Sequence, residues 1–273
     1  MCFDNKLHQV SANYLTQISA GYSPDREGKK GLMMSSTGIF LLVVVVFFFS
    51  TLIRSTFGFG NALIAMPLLV LLIGVKAASP LVALAGSVIS ILMLAQGWQD
   101  LQWKETLALL GASLPGIPLG LLLLTAVPES IVKIILGLIL IGFGLYNLSG
   151  IQLPNLASCW LIIPFGLLAG VLGGAYNTNG PPIVIYAVFR GWTKDQFRAS
   201  LQGFFLISNL LIIAGHGLSG LWTPEIGYYF LGSILPVGLA VYVGGVLSTR
   251  FSQELFNRII YAFLILTGLL MFI

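Results

Sequence analysis

The chain has 273 residues, of which 57% are hydrophobic and only 8% are charged. Soluble domains carry about 25% charged residues, so the composition excludes an ordinary soluble protein and indicates a polytopic membrane protein. The net charge of +4 comes from basic residues scattered between apolar runs, which gives no sign of a nucleic-acid partner. Two cysteines and two histidines form no metal-ligand pattern, so we expect no metal and no cofactor.

Residues 1–34 differ from the rest of the chain. They carry charged residues without apolar periodicity, and polar residues fill the positions where the apolar core of a signal peptide would lie. We expect a disordered polar tail without a signal peptide. Met33 and Met34 directly precede the first apolar run, so a native start at that point is an alternative.

Ten apolar segments follow the tail. A transmembrane helix needs roughly 20 apolar residues, and the second and seventh segments are shorter than that and begin just after breaks rich in glycine and asparagine. The sequence therefore predicts an all-α membrane protein with up to ten helical segments. They cover approximately 36–55, 60–75, 78–97, 105–126, 129–149, 159–173, 180–190, 198–217, 225–248 and 253–273.

The two halves of the chain look duplicated. Trp103 matches Trp222 at an offset of 119 residues, and each half contains one break at a similar distance before its tryptophan. Each repeat would hold one broken or re-entrant helix pair and three continuous helices, an arrangement typical of transporter folds. The predicted divisions are the tail (1–34), a first repeat (35–149), a connecting loop (150–158) and a second repeat (159–273).

The basic residues favour about eight net crossings of the membrane. When each broken pair is counted as one crossing, the halves are parallel, and most basic residues fall on one side, which the positive-inside rule assigns to the cytoplasm. Lys104 and the tail fall on the other side, and ten full crossings would scatter the charges. The cytoplasmic set would contain Lys76, Lys133, Arg190, Lys194, Arg198, Arg250 and Arg258.

The most informative segment reads GGAYNTNGPPIVI, over residues 173–185, in a stretch without Asp, Glu, Lys or Arg. Glycine and proline break helices, and broken backbone at membrane depth survives only where protein or a water-filled cavity covers it. Asn177, Thr178 and Asn179 offer uncharged hydrogen-bonding groups, and Gly180 and Pro181 begin a helix whose N-terminus favours an anion. We predict that these five residues bind substrate; a close helix crossing made by small residues is the alternative.

The first break, GFGN, is the counterpart in the first half. Gly58 and Gly60 permit the turn, and Asn61 begins the next helix with its amide groups towards the middle of the membrane. We predict that all three residues belong to the substrate site. The alternative is that Asn61 only caps the helix.

Three further polar side chains are candidates. Arg54 precedes the first break, where a cation could attract an anionic substrate or reach the lipid headgroups. Arg198 and Gln202 share a helix face; Arg198 is either an anion collector or a positive-inside anchor, and Gln202 is predicted to bind substrate from inside the protein. Asn209 is a weaker candidate. We expect His216 to lie at the membrane interface, with a proton relay as the alternative.

At the two breaks the chain resembles the TauE/SafE family of sulfite exporters. The resemblance rests on GFGNALIAMPLL in the first half, GGAYNTNGPPIVIY in the second half and the duplicated organisation, and it covers residues from about 39 to 273. It implies a carrier of small sulfur-containing or organic anions, such as sulfite and sulfonates, that moves them outward and is coupled to protons or the membrane potential. Phe59 and Asn61 depart from the denser glycine run of the family. The family motif maps onto Gly58, Gly60, Asn61, Pro67, Gly174, Gly180, Pro181 and Pro182.

The sequence thus predicts a secondary transporter in the bacterial inner membrane, and not an enzyme. The small anion would bind between the two breaks near the midplane; the bilayer and coupled protons are the other expected partners, and a homodimer is compatible with the sequence. An anion channel or a membrane assembly protein without a transport cycle is the alternative. An intramembrane enzyme is remote because neither HExxH nor a nucleophile motif is present.

Overall fold

The computed structural model of the protein describes residues 35–149 and 159–248, together with six residues near the C-terminus. Throughout this part of the chain the secondary structure is helical and contains no β-strand, which confirms the predicted all-α class. The predicted tail, the connecting loop and most of the last apolar segment lie outside the described residues. The six residues near the C-terminus are Ala262, Ile265, Leu266, Gly268, Leu269 and Phe272.

Ten α-helices follow one another in the two described stretches, close to the first nine apolar segments of the sequence. The segment 105–126, predicted as one helix, is divided at Leu114 and Pro115, where proline removes a backbone donor, and its two helices meet at 45°. The helices are α1 (Ser36–Phe57), α2 (Asn61–Ile73), α3 (Val75–Leu94), α4 (Trp103–Ser113), α5 (Gly116–Ala126), α6 (Glu129–Leu148), α7 (Ile162–Tyr176), α8 (Gly180–Arg190), α9 (Lys194–Leu218) and α10 (Pro224–Leu247).

Four of these helices, α1, α3, α9 and α10, are long and apolar enough to cross a membrane, and the bent pair α4–α5 makes a fifth candidate span. Their buried apolar side chains form one cluster around α1, α2, α3 and α10 and a second around α4, α7, α8 and α9. The two short helices α2 and α8 each belong to one of these clusters. The broken segments are therefore enclosed by the longer helices, as unpaired backbone in a membrane requires.

Close backbone contact joins α7 to the bent pair α4–α5. Gly116 and Gly120 on α5 face Gly170 and Gly174 on α7, and a Cβ atom added at any of these four positions would meet backbone atoms of the opposite helix. Small residues allow such an approach between membrane helices, where dispersion contacts replace the hydrophobic driving force. Gly174, which the family motif includes, therefore serves helix packing.

The first broken pair turns back on itself. Phe40 at the beginning of α1 packs against Tyr228 at the beginning of α10, with 4.6 Å between ring centroids. Gly244 near the end of α10 faces Ser55 near the end of α1, so these two helices run in the same direction. Arg54 in the last turn of α1 donates to Ser90 near the end of α3, so α1 and α3 are also parallel. Helix α2 must then run back to the end at which α3 begins.

The second pair also turns back, but it enters from the opposite end. Helix α7 runs alongside α4–α5, because Gly166 faces Leu109 and Gly174 faces Leu121. Helix α8 ends at Arg190, which pairs with Glu105 in the first turn of α4. We call this the Arg190 end of the bundle.

The two pairs therefore point in opposite directions. Helix α9 starts at the Arg190 end, and its last turn brings His216 to Ser79 at the beginning of α3, so α3 and α9 are antiparallel. Helix α1 is parallel to α3, and α7 is parallel to α9, because both begin at the Arg190 end. Corresponding helices of the two halves therefore run in opposite directions. We call the end at which α3 begins and α9 finishes the His216 end.

The predicted single crossing by each broken pair, and with it the parallel arrangement of the halves, is wrong. Positive φ angles at Gly58 (90°), Gly60 (104°) and Asn177 (55°) let the chain reverse within three residues. The count of Lys and Arg could not reveal such reversals. Lys104 lies at the same end as Arg190, and Lys76 lies at the opposite end, contrary to the predicted grouping. The internal repeat itself stays a prediction.

Gly174→Ala should lower thermal stability, because its methyl group would press on the carbonyl oxygen of Ile117 in a close backbone contact. Overpacking of this kind costs about 1–3 kcal/mol. Gly111→Ala on α4 is the matched control, since nothing lies within 4 Å of its added Cβ. The check is the unfolding midpoint of both variants in detergent, and equal midpoints would contradict the assigned helix contact.

Candidate functional site

The tips of the two broken pairs line one small cavity inside the bundle, which we call the central cavity. Its volume is about 30 Å³, which is room for roughly one or two water molecules. Predicted residues from both breaks meet there. The lining consists of Arg54, Gly60, Asn61, Ala62, Leu63, Val82, Gly86, Asn177, Thr178, Asn179, Gly180, Phe205 and Asn209.

The first break presents the N-terminus of α2 to this cavity. Gly60 is the N-cap residue, and its left-handed conformation explains why glycine stands there. Asn61 is the first residue of the helix, so the alternative that it only caps α2 is wrong. Its side chain is buried, and neither amide atom has a hydrogen-bond partner among the described residues. The first-turn residues Ala62 and Leu63 also line the cavity, where helix N–H groups lack intrahelical partners.

The second break is tied to its neighbours by asparagine amides. Nδ2 of Asn177 donates to the backbone oxygen of Ser79 at 2.7 Å and to its Oγ at 2.9 Å, while Oδ1 of Asn177 has no partner among the described residues. Nδ2 of Asn179 donates to Oγ of Ser208 at 3.0 Å. The amide of Thr178 donates to the carbonyl of Leu172 at 3.2 Å. These bonds hold the tip of the α7–α8 pair against α3 and α9.

Helix α8 offers the cavity fewer backbone donors than α2 does. Pro181 and Pro182 occupy its second and third positions, and proline has no N–H group. Gly180 lines the central cavity, whereas Pro181 is buried outside its lining. The predicted anion-favouring N-terminus is therefore better developed at the first break than at the second.

Arg54 supplies the only basic side chain in the lining described above. Its guanidinium is buried, so the alternative of a headgroup contact is wrong. Nε and Nη2 donate to Oε1 of Gln202 at 3.2 and 2.7 Å, Nη2 donates to Oγ of Ser90 at 2.5 Å, and Nη1 donates to the carbonyl of Gly86 at 3.4 Å. The guanidinium also lies 4.9 Å from the ring centre of Phe205. Within the described residues all its partners are neutral.

Gln202 and Arg198 lie beside the central cavity and not in it. They line a second space of about 250 Å³ at the Arg190 end, which we call the vestibule. Arg198 donates from Nη2 to the backbone oxygen of Ser55 at 2.9 Å, and a Cβ on Gly58 would lie 3.1 Å from its side chain. Other residues of the vestibule are Met93, Gln96, Gly97, Asp100, Asp195, Ala199, Gly245 and Ser248.

Sequence reasoning missed the contribution of α3. Ser79, Gly86 and Ser90 lie on the face of α3 that meets the two breaks, where they contact Asn177 and Arg54. Their spacing of seven and four residues is that of one helical face. This periodicity of small and polar residues on an apolar helix was the available signal.

His216 is fully buried and not interfacial, so that prediction is wrong. Its Nε2 lies 3.4 Å from Oγ of Ser79, which also accepts a hydrogen bond from Asn177. Nδ1 of His216 has no partner among the described residues. The last turn of α9 exposes Leu218 as expected, but the side chain of His216 on the same turn packs against Ser79 of α3 and is covered.

A family model of the sulfite exporter TauE/SafE matches residues 42–271. The chain belongs to the TauE/SafE family. The resemblance noted in the sequence is thereby confirmed, and this TauE/SafE protein is an integral membrane protein of a transporter family. No curated protein and no solved structure matches the chain.

The polar groups in and around the central cavity are amides, hydroxyls, backbone groups and one guanidinium, and the apolar part of the lining comes from Ala62, Leu63, Val82 and Phe205. Among the described residues no group of three or more His, Cys, Asp or Glu side chains is placed to hold a metal ion. Such neutral donors around a single cation are suited to hold an anion without a metal. Asp100 and Asp195 lie in the vestibule, outside the central cavity.

The two spaces should differ in their access to water. Starting from a variant with Cys2 and Cys159 replaced by Ser, Gln96→Cys in the vestibule should react readily with an anionic thiosulfonate reagent, because Gln96 is exposed. Val82→Cys in the central cavity should react much more slowly, since Val82 is buried. Mass spectrometry of the labelled protein measures both rates. Equal rates would show that the central cavity is not closed.

Proposed function

We propose that this TauE/SafE protein is a secondary transporter that exports a compact sulfur oxyanion, with sulfite as the candidate substrate, through the central cavity. The observation that carries the proposal is the buried guanidinium of Arg54. It lines the cavity, and its hydrogen-bond partners among the described residues are neutral. A buried cation that lines a cavity and has no anionic partner among the described residues can bind an anionic ligand there.

The charge of Arg54 favours an anionic ligand for a physical reason. Removing a guanidinium from water carries a desolvation cost of several kcal/mol, and neutral hydrogen bonds offset only part of it. An anion in the central cavity would add the missing charge and form charge-assisted hydrogen bonds, which are roughly twice as strong as neutral ones. The bound anion is therefore stabilised where neutral solutes are not.

The other lining groups favour a small oxyanion. The unpartnered amide of Asn61 and the first turn of α2 can donate hydrogen bonds to further oxygens of the anion. A volume of about 30 Å³ accommodates a compact inorganic anion with less rearrangement than a sulfonate with an organic chain. The description of the family supports sulfite in particular.

The distribution of basic residues supports a direction. Lys104, Arg190, Lys194 and Arg198 all lie at the Arg190 end of the bundle, and the positive-inside rule assigns that end to the cytoplasm. The vestibule then opens on the cytoplasmic side, where sulfite to be exported is collected past Arg198. The bacterial inner membrane stays a prediction, and the family match supports an integral membrane transporter.

The hydrogen bonds that join Arg54 of the central cavity to Gln202 of the vestibule support a carrier over a channel. Arg54 and Gln202 are hydrogen-bonded between the cavity and the vestibule, whereas a conducting pore needs a continuous path. Two hairpin-like broken pairs that enter from opposite ends are the arrangement that inverted-repeat transporters use for alternating access. Release of the anion on the far side then requires a second arrangement of these helices.

Arg54→Gln should abolish saturable sulfite transport in proteoliposomes, and Arg54→Lys should retain a small part of it. Loss of a hydrogen bond to a charged group is worth about 1.5–3 kcal/mol, which corresponds to roughly a 10- to 100-fold lower affinity. Lys76→Gln, which removes an exposed basic residue at the His216 end, is the control and should keep the wild-type KM.

The same vesicles distinguish the alternatives. Sulfite, sulfate, taurine and acetate are compared as substrates, with unfolding midpoints measured to confirm that the variants are folded. Counterflow of labelled sulfite against unlabelled sulfite supports a carrier, whereas non-saturating conductance would establish a channel. Wild-type transport by Arg54→Gln would refute the proposed site.

A further inference from the structure

We infer that the side-chain amide of Gln202 occupies the edge of Arg54 at which the anion docks, and that exchange of this amide for the anion opens the way from the vestibule to the central cavity. The inference rests on the proposed function, because it assumes that Arg54 receives an anion. It concerns the step before binding in the cavity. In this inference Gln202 occupies the anion-binding edge of Arg54 when no anion is bound, and it blocks passage until it is displaced.

The guanidinium of Arg54 has two distinct edges in this structure. Nη1 faces Gly86, and both Gly86 and Asn209 line the central cavity. Nε and Nη2 form the other edge, and both donate to the single oxygen Oε1 of Gln202. The Nε–Nη2 edge of arginine is a planar fork that matches two oxygens of one oxyanion. Here one carboxamide oxygen occupies a fork that can bind two.

Gln202 also holds the tip of the first broken pair. Its Nε2 donates to the carbonyl of Gly58 at 2.7 Å, and Gly58 has a φ of 90°. One amide group therefore connects the substrate-binding cation on α1 to the turn that precedes α2. When an anion displaces the oxygen of Gln202 from Arg54, the bond to Gly58 is weakened as well. Binding of the anion at Arg54 is thus coupled to the conformation of the turn at Gly58 that precedes α2.

The hydrogen-bonded pair Arg54 and Gln202 connects the linings of the central cavity and the vestibule. Arg54 lines the central cavity, Gln202 lines the vestibule, and both side chains are buried. Their hydrogen bonds join a residue that lines one space to a residue that lines the other. An anion that enters the vestibule past Arg198 meets Gln202 before it meets Arg54. Passage therefore requires that the amide leave the fork.

Competition with Gln202 also selects the ligand. A neutral solute that accepts one hydrogen bond gains nothing over the carboxamide already present, so it does not displace it. An oxyanion forms stronger, charge-assisted hydrogen bonds, and its second oxygen accepts from the second N–H donor of the fork. A halide has the charge but offers a single centre to a two-donor fork. The exchange with Gln202 therefore favours oxyanions, which present two oxygens to the two N–H donors, over halides of similar charge.

Gln202→Glu is the decisive variant because it changes charge with almost no change of shape. A carboxylate at this position would pair with Arg54 as a permanent internal anion. Saturable sulfite transport should be lost. The ion pair with Arg54 offsets the lost hydrogen bond to the carbonyl of Gly58, so the unfolding midpoint should stay close to that of the wild type. Gln99→Glu adds the same charge at an exposed position outside the lining of the vestibule and should retain saturable transport.

Gln202→Met provides a second and opposite test. Methionine is similar in length but is at most a weak acceptor, so the fork of Arg54 is left without the competing carboxamide. We expect a lower KM for sulfite than in the wild type, and weaker discrimination between sulfite and bromide in competition assays. The KM and the maximal rate are measured separately in the same proteoliposomes.

The outcomes separate the inference from the proposed function. Loss of transport in Gln202→Glu, retention in Gln99→Glu and a lower KM in Gln202→Met would support the inference. Wild-type kinetics in either Gln202 variant would overturn it, even when Arg54→Gln is inactive and the proposed anion site stands. Wild-type transport by Arg54→Gln would instead remove the proposed function and the inference together.

Discussion

The burial of one positive charge among neutral partners is the constraint on which the rest of the site depends. A guanidinium inside an apolar bundle needs several acceptors, and α1 alone cannot provide them. The acceptors come from Ser90 and Gly86 on α3 and from Gln202 on α9. Meeting this requirement brings three long helices together around the first break. The cavity beside Arg54 follows from that convergence.

The glycines solve a different problem. Two helix pairs that reverse inside a bundle leave backbone groups that lipid cannot satisfy, so neighbouring helices must cover both tips. Gly116 and Gly170 let α5 and α7 approach to backbone contact, and the positive φ of Gly58 and Gly60 permits the first reversal. The amide bonds of Asn177 and Asn179 then fix the second tip against α3 and α9. The polar residues of the second break thus have structural partners as well as cavity-facing atoms.

The helix positions and the two breaks could be predicted from the sequence because apolar length and proline or glycine placement are local signals. The direction of each helix could not, since Gly60 and Asn177 look the same whether the chain continues or reverses after them. Arg54 was ambiguous for a related reason: its depth depends on α3 and α9, which are distant in sequence. The burial of His216 was misjudged because a helix end adjoins lipid headgroups in one packing and protein in another.

The helices that follow the two breaks differ in their first turns. The helix that follows the first break begins Asn61-Ala62-Leu63, whereas the helix that follows the second begins Gly180-Pro181-Pro182. Proline cannot donate a hydrogen bond, so the first turn after the first break offers backbone N–H groups that the first turn after the second break lacks. A ligand between the two tips would therefore be bound asymmetrically, by main-chain donors of α2 on one side and by side-chain groups of the second break on the other.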